Sequence, residues 1–188
     1  MVRWLERFLW IVAVAAVSVY IGSVGESRLS QAYLDWEFTR AVELPVRVAT
    51  RTDVIPFVAQ PLGRLEIPSI ALSTIFIEGV DDRTLRRGVG HIPGTALPGM
   101  PGNVGLSAHR DTFFRRLGEI VDGDAIRITT PDGTYEYIVE SSRVVDPDER
   151  VVLRDIGRPT LTLVTCYPFY YVGPAPKRFV VHASLVGE

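Results

Sequence analysis

Thr160-Leu161-Thr162-Leu163-Val164-Thr165-Cys166 is an apolar, β-branched run that ends on the only cysteine of the chain. Branched side chains suit a pleated, half-buried surface, so the run reads as a strand. Period-two alternation puts Leu161, Leu163 and Thr165 on one face and Thr162, Val164 and Cys166 on the other. Downstream, Arg178 to Val186 reads the same way, with Phe179, Val181 and Ala183 on one face and Arg178, Val180 and His182 opposite. If the leucine and phenylalanine faces make the core, Cys166 and Arg178 emerge on the same outer face. If the two strands are also neighbours, thiol and guanidinium converge at one end of a partly apolar groove that suits an extended peptide.

Upstream the texture is similar. Arg64 to Ile67 alternates and stops at Pro68, and Ser73 to Glu78 is β-branched and apolar. Val104 to Ala108, Asp124 to Thr130 and Thr134 to Val145 follow, the last two joined by the turn residues Pro131-Asp132-Gly133. Gly88 to Gly102, dense in Gly and Pro, reads as loop, and Asp82 to Arg87 as one helical turn capped by Asp81 or Asp82. Seven short strands at this spacing predict an all-β barrel or sandwich.

The first 62 residues differ. Phe8 to Val24 is seventeen residues without a charge, close to the minimum for a membrane-spanning helix. Arg3 and Arg7 precede it, which places the N-terminus in the cytoplasm and the remainder outside. A cleaved signal peptide is the rival reading, disfavoured by the length of the run and by the lack of a clean Ala-x-Ala site. Ser27 to Val42 can form an amphipathic helix through Leu34, Phe38, Ala41 and Val42, and the proline-punctuated Glu43 to Leu62 reads as a stalk. The expected organisation is an anchor over 1–25, a helix and stalk over 26–62, and a β-barrel unit over 63–188. Pro45 to Leu62 is a candidate to lie across the groove.

The 188 residues are 47% apolar with a net charge of −2, which excludes the basic field that nucleic-acid binding needs. A lone extracytoplasmic cysteine has no intramolecular disulfide partner, leaving a reactive thiol, an intermolecular link or packing. Each candidate alone also fits an ordinary role: Cys166 as a small buried hydrophobe, His109 as a loop histidine, Arg178 as a surface charge. Together they fit nucleophilic chemistry. The thiolate is the reactive form of Cys166, an imidazole at His109 can take and return a proton, and the guanidinium of Arg178 offers permanent donors to a developing oxyanion.

Two longer motifs carry a resemblance. Gly88-Val89-Gly90-His91-Ile92-Pro93-Gly94-Thr95-Ala96-Leu97-Pro98-Gly99 leads into Gly102-Asn103-Val104 and Ala108-His109-Arg110-Asp111-Thr112-Phe113-Phe114. Thr162 to Phe169 is followed by Pro176-Lys177-Arg178-Phe179. From about Leu62 to Val186 the chain resembles the sortase family, most closely its class D branch. Ala108 is a departure, because a glycine commonly precedes the histidine. The resemblance implies a closed eight-stranded β-barrel with short helices. It also implies a membrane-anchored cysteine transpeptidase that cleaves a Leu-Pro-x-Thr-Gly-like sorting signal through a thioester and passes the acyl group to an amine on cell wall or protein. Carried over, Cys166 is the nucleophile, His109 the acid/base and Arg178 the oxyanion or substrate clamp.

Other positions are weaker candidates. His91 either lines the groove or stabilises its turn. Thr165 stands beside the thiol, and Tyr167 either shapes the groove mouth or covers the barrel end. Asp111 either orients His109 or caps a short helix over Thr112 to Leu117. Asp122, Asp124, Asp146, Asp148 and Glu149 lack the ordered spacing of a Ca²⁺ loop, and one cysteine with three histidines does not make a zinc site, so no metal or cofactor is expected. The alternative from another class is a catalytically silent anchored barrel that binds extracytoplasmic peptides.

Overall fold

The computed structural model describes residues 2–43 and 61–187, with the side chains of part of the first helix left out. Eight strands close into a barrel: β1 Pro61–Ile67, β2 Leu72–Glu78, β3 Val89–His91, β4 Asn103–Ser107, β5 Ala125–Thr130, β6 Gly133–Val145, β7 Thr160–Tyr167 and β8 Lys177–Leu185. Around the barrel they run β1-β2-β3-β4-β7-β8-β6-β5, and β5 returns to β1. The β2–β3 and β4–β7 pairs are parallel and the others antiparallel. Among the described residues, closure leaves no long unpaired edge.

The strand missing from the sequence reading is β3, three residues inside the stretch read as loop. Its glycine hides it. A Cβ on Gly90 would lie 2.2 Å from the Gly79 carbonyl oxygen, so the close approach that the strand makes excludes the branched residues that usually signal β-structure. The helical turn Asp82–Arg87 (α2) forms as expected, with the Asp81 carboxylate accepting from the amides of Arg83 and Thr84. The Thr84 hydroxyl, which donates to the same carboxylate at 2.8 Å, and after it these amides hold its pKa below the usual carboxylate range. Thr112 to Leu117 is a correction: it is a run of turns leading into a 3-10 segment at Leu117–Glu119, not a helix.

Inside the barrel, Leu65, Ile67, Phe76, Leu106, Ile126, Ile128, Leu161 and Leu163 form one continuous core. The outer face of β7 and β8 is also covered along part of its length. Val152 and Leu153, in a 3-10 segment of the β6–β7 connection, pack with Val145, Val164 and Val180. Beneath them the Thr162 hydroxyl donates to Asn103 Oδ1 at 2.9 Å and meets His182 Nδ1 at 3.1 Å.

The N-terminal segment is one helix, α1, over Val2–Glu43. Its later turns pack on the barrel wall, where Leu34 and Phe38 are buried with Ile75 and Ile77 of β2. Arg64 of β1 pairs with Asp35. Gln31 makes the most specific contact. Its Oε1 accepts from the Ile75 amide and the Thr74 hydroxyl, both at 2.9 Å, and its Nε2 donates to the Arg87 carbonyl at 2.6 Å. It bridges β2 to the residues entering β3, where the β2–β3 ladder has not yet begun. A side-chain amide thus extends a strand ladder by one rung.

Among the described residues no helix is long and apolar enough to cross a membrane. The backbone of the expected span, Phe8 to Val24, is helical throughout, and several of its side chains lie outside the described residues. The stalk reading, and the suggestion that Pro45 to Leu62 crosses the groove, fall almost wholly on 44–60, which also lie outside them.

Candidate active site

Cys166 is a free, half-buried thiol near the C-terminal end of β7, one residue before the strand stops. In the β7–β8 ladder it stands directly opposite Arg178, which follows from the register Leu161↔Ala183 to Tyr167↔Lys177. Directly opposed residues of an antiparallel pair have Cβ atoms about 5 Å apart on the same face. The two faces inferred from alternation are those adopted: Leu161, Leu163 and Thr165 are buried toward the core, while Val164 and Cys166 are half-buried on the outer side.

His109 arrives from the other flank. β4 runs parallel to β7, its last pair being Ser107↔Val164. One residue on, the Ala108 amide donates to the Val164 carbonyl at 3.3 Å, and the Thr165 hydroxyl donates to the Ala108 carbonyl at 2.8 Å. Continuing that register brings half-buried His109 level with Cys166. The chain then turns, closed by the Phe114 amide donating to the His109 carbonyl at 3.1 Å. Thus three strand ends, β4, β7 and β8, bring imidazole, thiol and guanidinium to one rim of the barrel. Among the described residues no hydrogen bond joins the three side chains. Arg178 Nη1 donates instead to the carbonyls of Ala175 at 3.3 Å and Lys177 at 3.0 Å.

The secondary candidates separate. Thr165 is buried with its hydroxyl on the Ala108 carbonyl, so it ties the β4 end to β7 and does not face the groove. His91 is buried, and both its ring nitrogens meet oxygens: Nδ1 meets Glu78 Oε2 at 2.7 Å, and Nε2 meets the Ala96 carbonyl at 3.0 Å and Thr95 Oγ1 at 3.1 Å. That is the turn-stabilising role. Tyr167 stacks on Phe179 and meets Phe169 edge-on, in an aromatic cluster at the barrel end. Asp111 is exposed and, among the described residues, makes no hydrogen bond, so it neither caps a helix nor bonds His109. Among the described residues no cluster of three metal-ligating side chains occurs.

One residue the sequence reading left without a role stands out. Arg110, next to His109, donates to the carbonyls of Pro168, Tyr171 and Gly173. Its only sequence signal is adjacency to the histidine, because backbone carbonyls have no signature.

The family model described as "Sortase domain" matches residues 65–186. Sortase D of Bacillus subtilis (strain 168) is 39% identical over 132 residues, covering 70% of this chain and 67% of that protein. Sortase A of Bacillus anthracis is 30% identical, and the match spans 68% of this chain and 61% of that relative. Among solved structures, the Sortase D5 transpeptidase of Clostridium perfringens superposes with a TM-score of 0.71 at 25% identity, covering 87% of this chain and 99% of that one. Sortase C-1 of Actinomyces oris gives a TM-score of 0.63 at 28% identity, covering 84% and 99%. With the barrel, the order of histidine, cysteine and arginine, and these matches in agreement, the chain belongs to the sortase family.

Proposed function

We propose that this sortase is a membrane-anchored cysteine transpeptidase in which Cys166 is the nucleophile, His109 the general acid/base and Arg178 the donor to the oxyanion. The observation that carries the reading is the direct Cys166–Arg178 pairing across β7 and β8, with His109 leaving the adjacent parallel strand at the same level. In the first step the Cys166 thiolate attacks the threonine carbonyl carbon of a Leu-Pro-x-Thr-Gly-like sorting signal. Charge moves onto the carbonyl oxygen, and Arg178 exchanges its loop carbonyls for that oxyanion. The carbon–nitrogen bond then breaks, His109 protonates the departing amine, and a thioester to Cys166 remains. An acceptor amine on cell wall or protein attacks the thioester, His109 takes its proton, and the thiolate leaves. One amide is broken and one is formed, so no redox partner is needed.

The same reading makes Phe8 to Val24 the anchor, with Arg3 and Arg7 on the cytoplasmic side. Residues 26–62 then connect it to a catalytic unit over 63–188. The catalytic domain faces outward and meets proteins that carry a C-terminal sorting signal. The test uses the full-length chain in detergent with Leu-Pro-x-Thr-x peptides and a glycine-based amine, following mass on Cys166. The expected result is a thioester adduct and ligated product, both abolished in Cys166→Ala. No adduct from any peptide, with a thiol inert to alkylation, would establish the silent peptide-binding barrel instead.

A further inference from the structure

The β7–β8 connection, Pro168 to Pro176, separates the candidate nucleophile from its arginine, yet little of it is held by ordinary means. Its tip is open: Tyr170 is 88% and Val172 99% exposed. Among the described residues it makes no backbone–backbone hydrogen bond outside the flanking strands. Its carbonyls are held by two arginines. Arg110 Nη1 donates to Pro168 at 3.0 Å, and its Nη2 donates to Tyr171 at 3.0 Å and Gly173 at 3.1 Å. The guanidinium also lies 5.6 Å from the Tyr171 ring centroid. Arg178 holds the far end through Ala175.

The base of the loop is fixed separately. Phe169 packs edge-on against Phe179, with centroids 5.3 Å apart. It also lies over Gly118, where a Cβ would come within 2.6 Å of the ring. What Arg110 adds is a hold on the part beyond Phe169.

The same residue fixes the other side of the site. His109 sits between two tethers. Ala108 is bound to β7 through the Val164 carbonyl and the Thr165 hydroxyl, and Arg110 is bound to the β7–β8 loop. When Arg178 turns from the Ala175 carbonyl toward an oxyanion, the strap from Arg110 remains. A guanidinium suits this, since its rigid fork reaches acceptors spread along one loop, whereas an ammonium donates from a single point.

We propose that Arg110 is a positioning residue that straps the His109 turn to the β7–β8 loop, keeping imidazole, thiol and loop in register when Arg178 turns from the loop to substrate. This rests on the roles given to His109, Cys166 and Arg178 above. It adds that the loop is a working part of the site whose anchor is the residue after the histidine.

The experiment compares Arg110→Lys and Arg110→Gln with wild type, in the full-length protein. Four quantities are read: the rate of chymotryptic cleavage after Tyr170 and Tyr171, the rate of Cys166 alkylation, and kcat and KM for a Leu-Pro-x-Thr-x peptide. Both variants should be cleaved at least tenfold faster in the loop. Both should lose about ten- to a hundredfold in kcat with KM changed less than threefold, and alkylation should shift at least threefold. Lysine should rescue none of these, because it restores charge but not the fork. Unchanged cleavage would show that Arg110 does not hold the loop. Faster cleavage with normal kcat and alkylation would make the strap purely structural, and full rescue by lysine would replace geometry with charge. Each of these overturns the proposal. Cleavage and alkylation need no turnover, so a wild-type protein that fails to turn over peptide, with both still altered in the variants, would remove the functional reading and leave the strap standing. Should Arg110→Gln not fold, Arg110→Lys alone decides.

Discussion

The wall of the barrel under α1 and the rim around Cys166 use side chains in opposite ways. At the wall, Gln31 completes a strand ladder and is backed by apolar contacts of Leu34 and Phe38 with Ile75 and Ile77. At the rim, Arg110 and Arg178 hold carbonyls of a loop with an exposed tip and no backbone hydrogen bonds of its own among the described residues. The wall joins hydrogen bonding to burial, so it resists opening. The rim joins hydrogen bonding to exposure, so it can exchange partners at low cost. The role proposed for Arg178 asks for a guanidinium that can take up a new acceptor, and the rim is the place that allows it.

The contrast breaks first on Arg178. Arg178→Lys keeps a cation at the rim and removes the planar fork. Its peptide turnover should fall by about a hundredfold or more, the scale of losing an oxyanion donor, while the thermal midpoint stays within a few degrees. A large fall in stability with the activity would mean that the rim, too, supports the fold.

Phe38→Ala probes the wall. Deleting a buried phenylalanine costs about 3 kcal/mol or more where the cavity cannot collapse, and Phe38 sits between Leu34 and β2 with the Arg64 guanidinium 5.8 Å from its ring centroid. Chemical denaturation of the full-length protein should show that loss while kcat per folded molecule is retained. An unchanged unfolding midpoint would reduce α1 to a helix resting on a barrel that is stable without it.

Gln31→Leu sharpens the same point on a smaller scale. It leaves the buried amide of Ile75 without its partner, a cost of about 1–3 kcal/mol. Gln31→Glu keeps the acceptor for Ile75 but sets a carboxylate oxygen against the Arg87 carbonyl, so it should lose at least as much as the leucine variant.

These regions also differ in how far the sequence could be read. Alternation in β7 and β8 gave the correct faces for Cys166 and Arg178 because a strand has period two whatever it pairs with. Helical spacing likewise marked Leu34 and Phe38 as an apolar face, without naming β2 as its partner. β3 was missed because Gly90 is required by a close backbone approach, and glycine reads as turn. Arg110 was not legible at all: its three acceptors are main-chain carbonyls about sixty residues away, and any residue types there would serve. The Val152–Leu153 cover on the outer face shares this limit, since only the folded connection shows which apolar residues meet Val164 and Val180.

The smallest effect concerns the middle of β7 and β8, where the Val152 carbonyl of that cover lies 3.4 Å from the Thr162 hydroxyl oxygen, itself 3.1 Å from His182 Nδ1. Thr162 gives its hydroxyl proton to Asn103 Oδ1, so the His182 Nδ1–H donates to the hydroxyl oxygen. Burial, followed by the nearby Arg143, lowers the His182 pKa from its ordinary value of 6.5, with Glu140 opposing. The unfolded chain therefore takes up this proton more readily than the folded one. The stability associated with neutral His182 is complete above about pH 6.5 and is lost as pH falls from there through the lower folded value. One proton limits the slope to about 1.4 kcal/mol per pH unit. Carboxylates add their own acid sensitivity, so the difference between wild type and His182→Gln across pH 7 to 5 isolates the histidine. Wild type should lose stability faster than the variant over that interval. Parallel curves would mean that Glu140 offsets both burial and Arg143, and that the ground beneath the β6–β7 connection carries no proton-linked weakness.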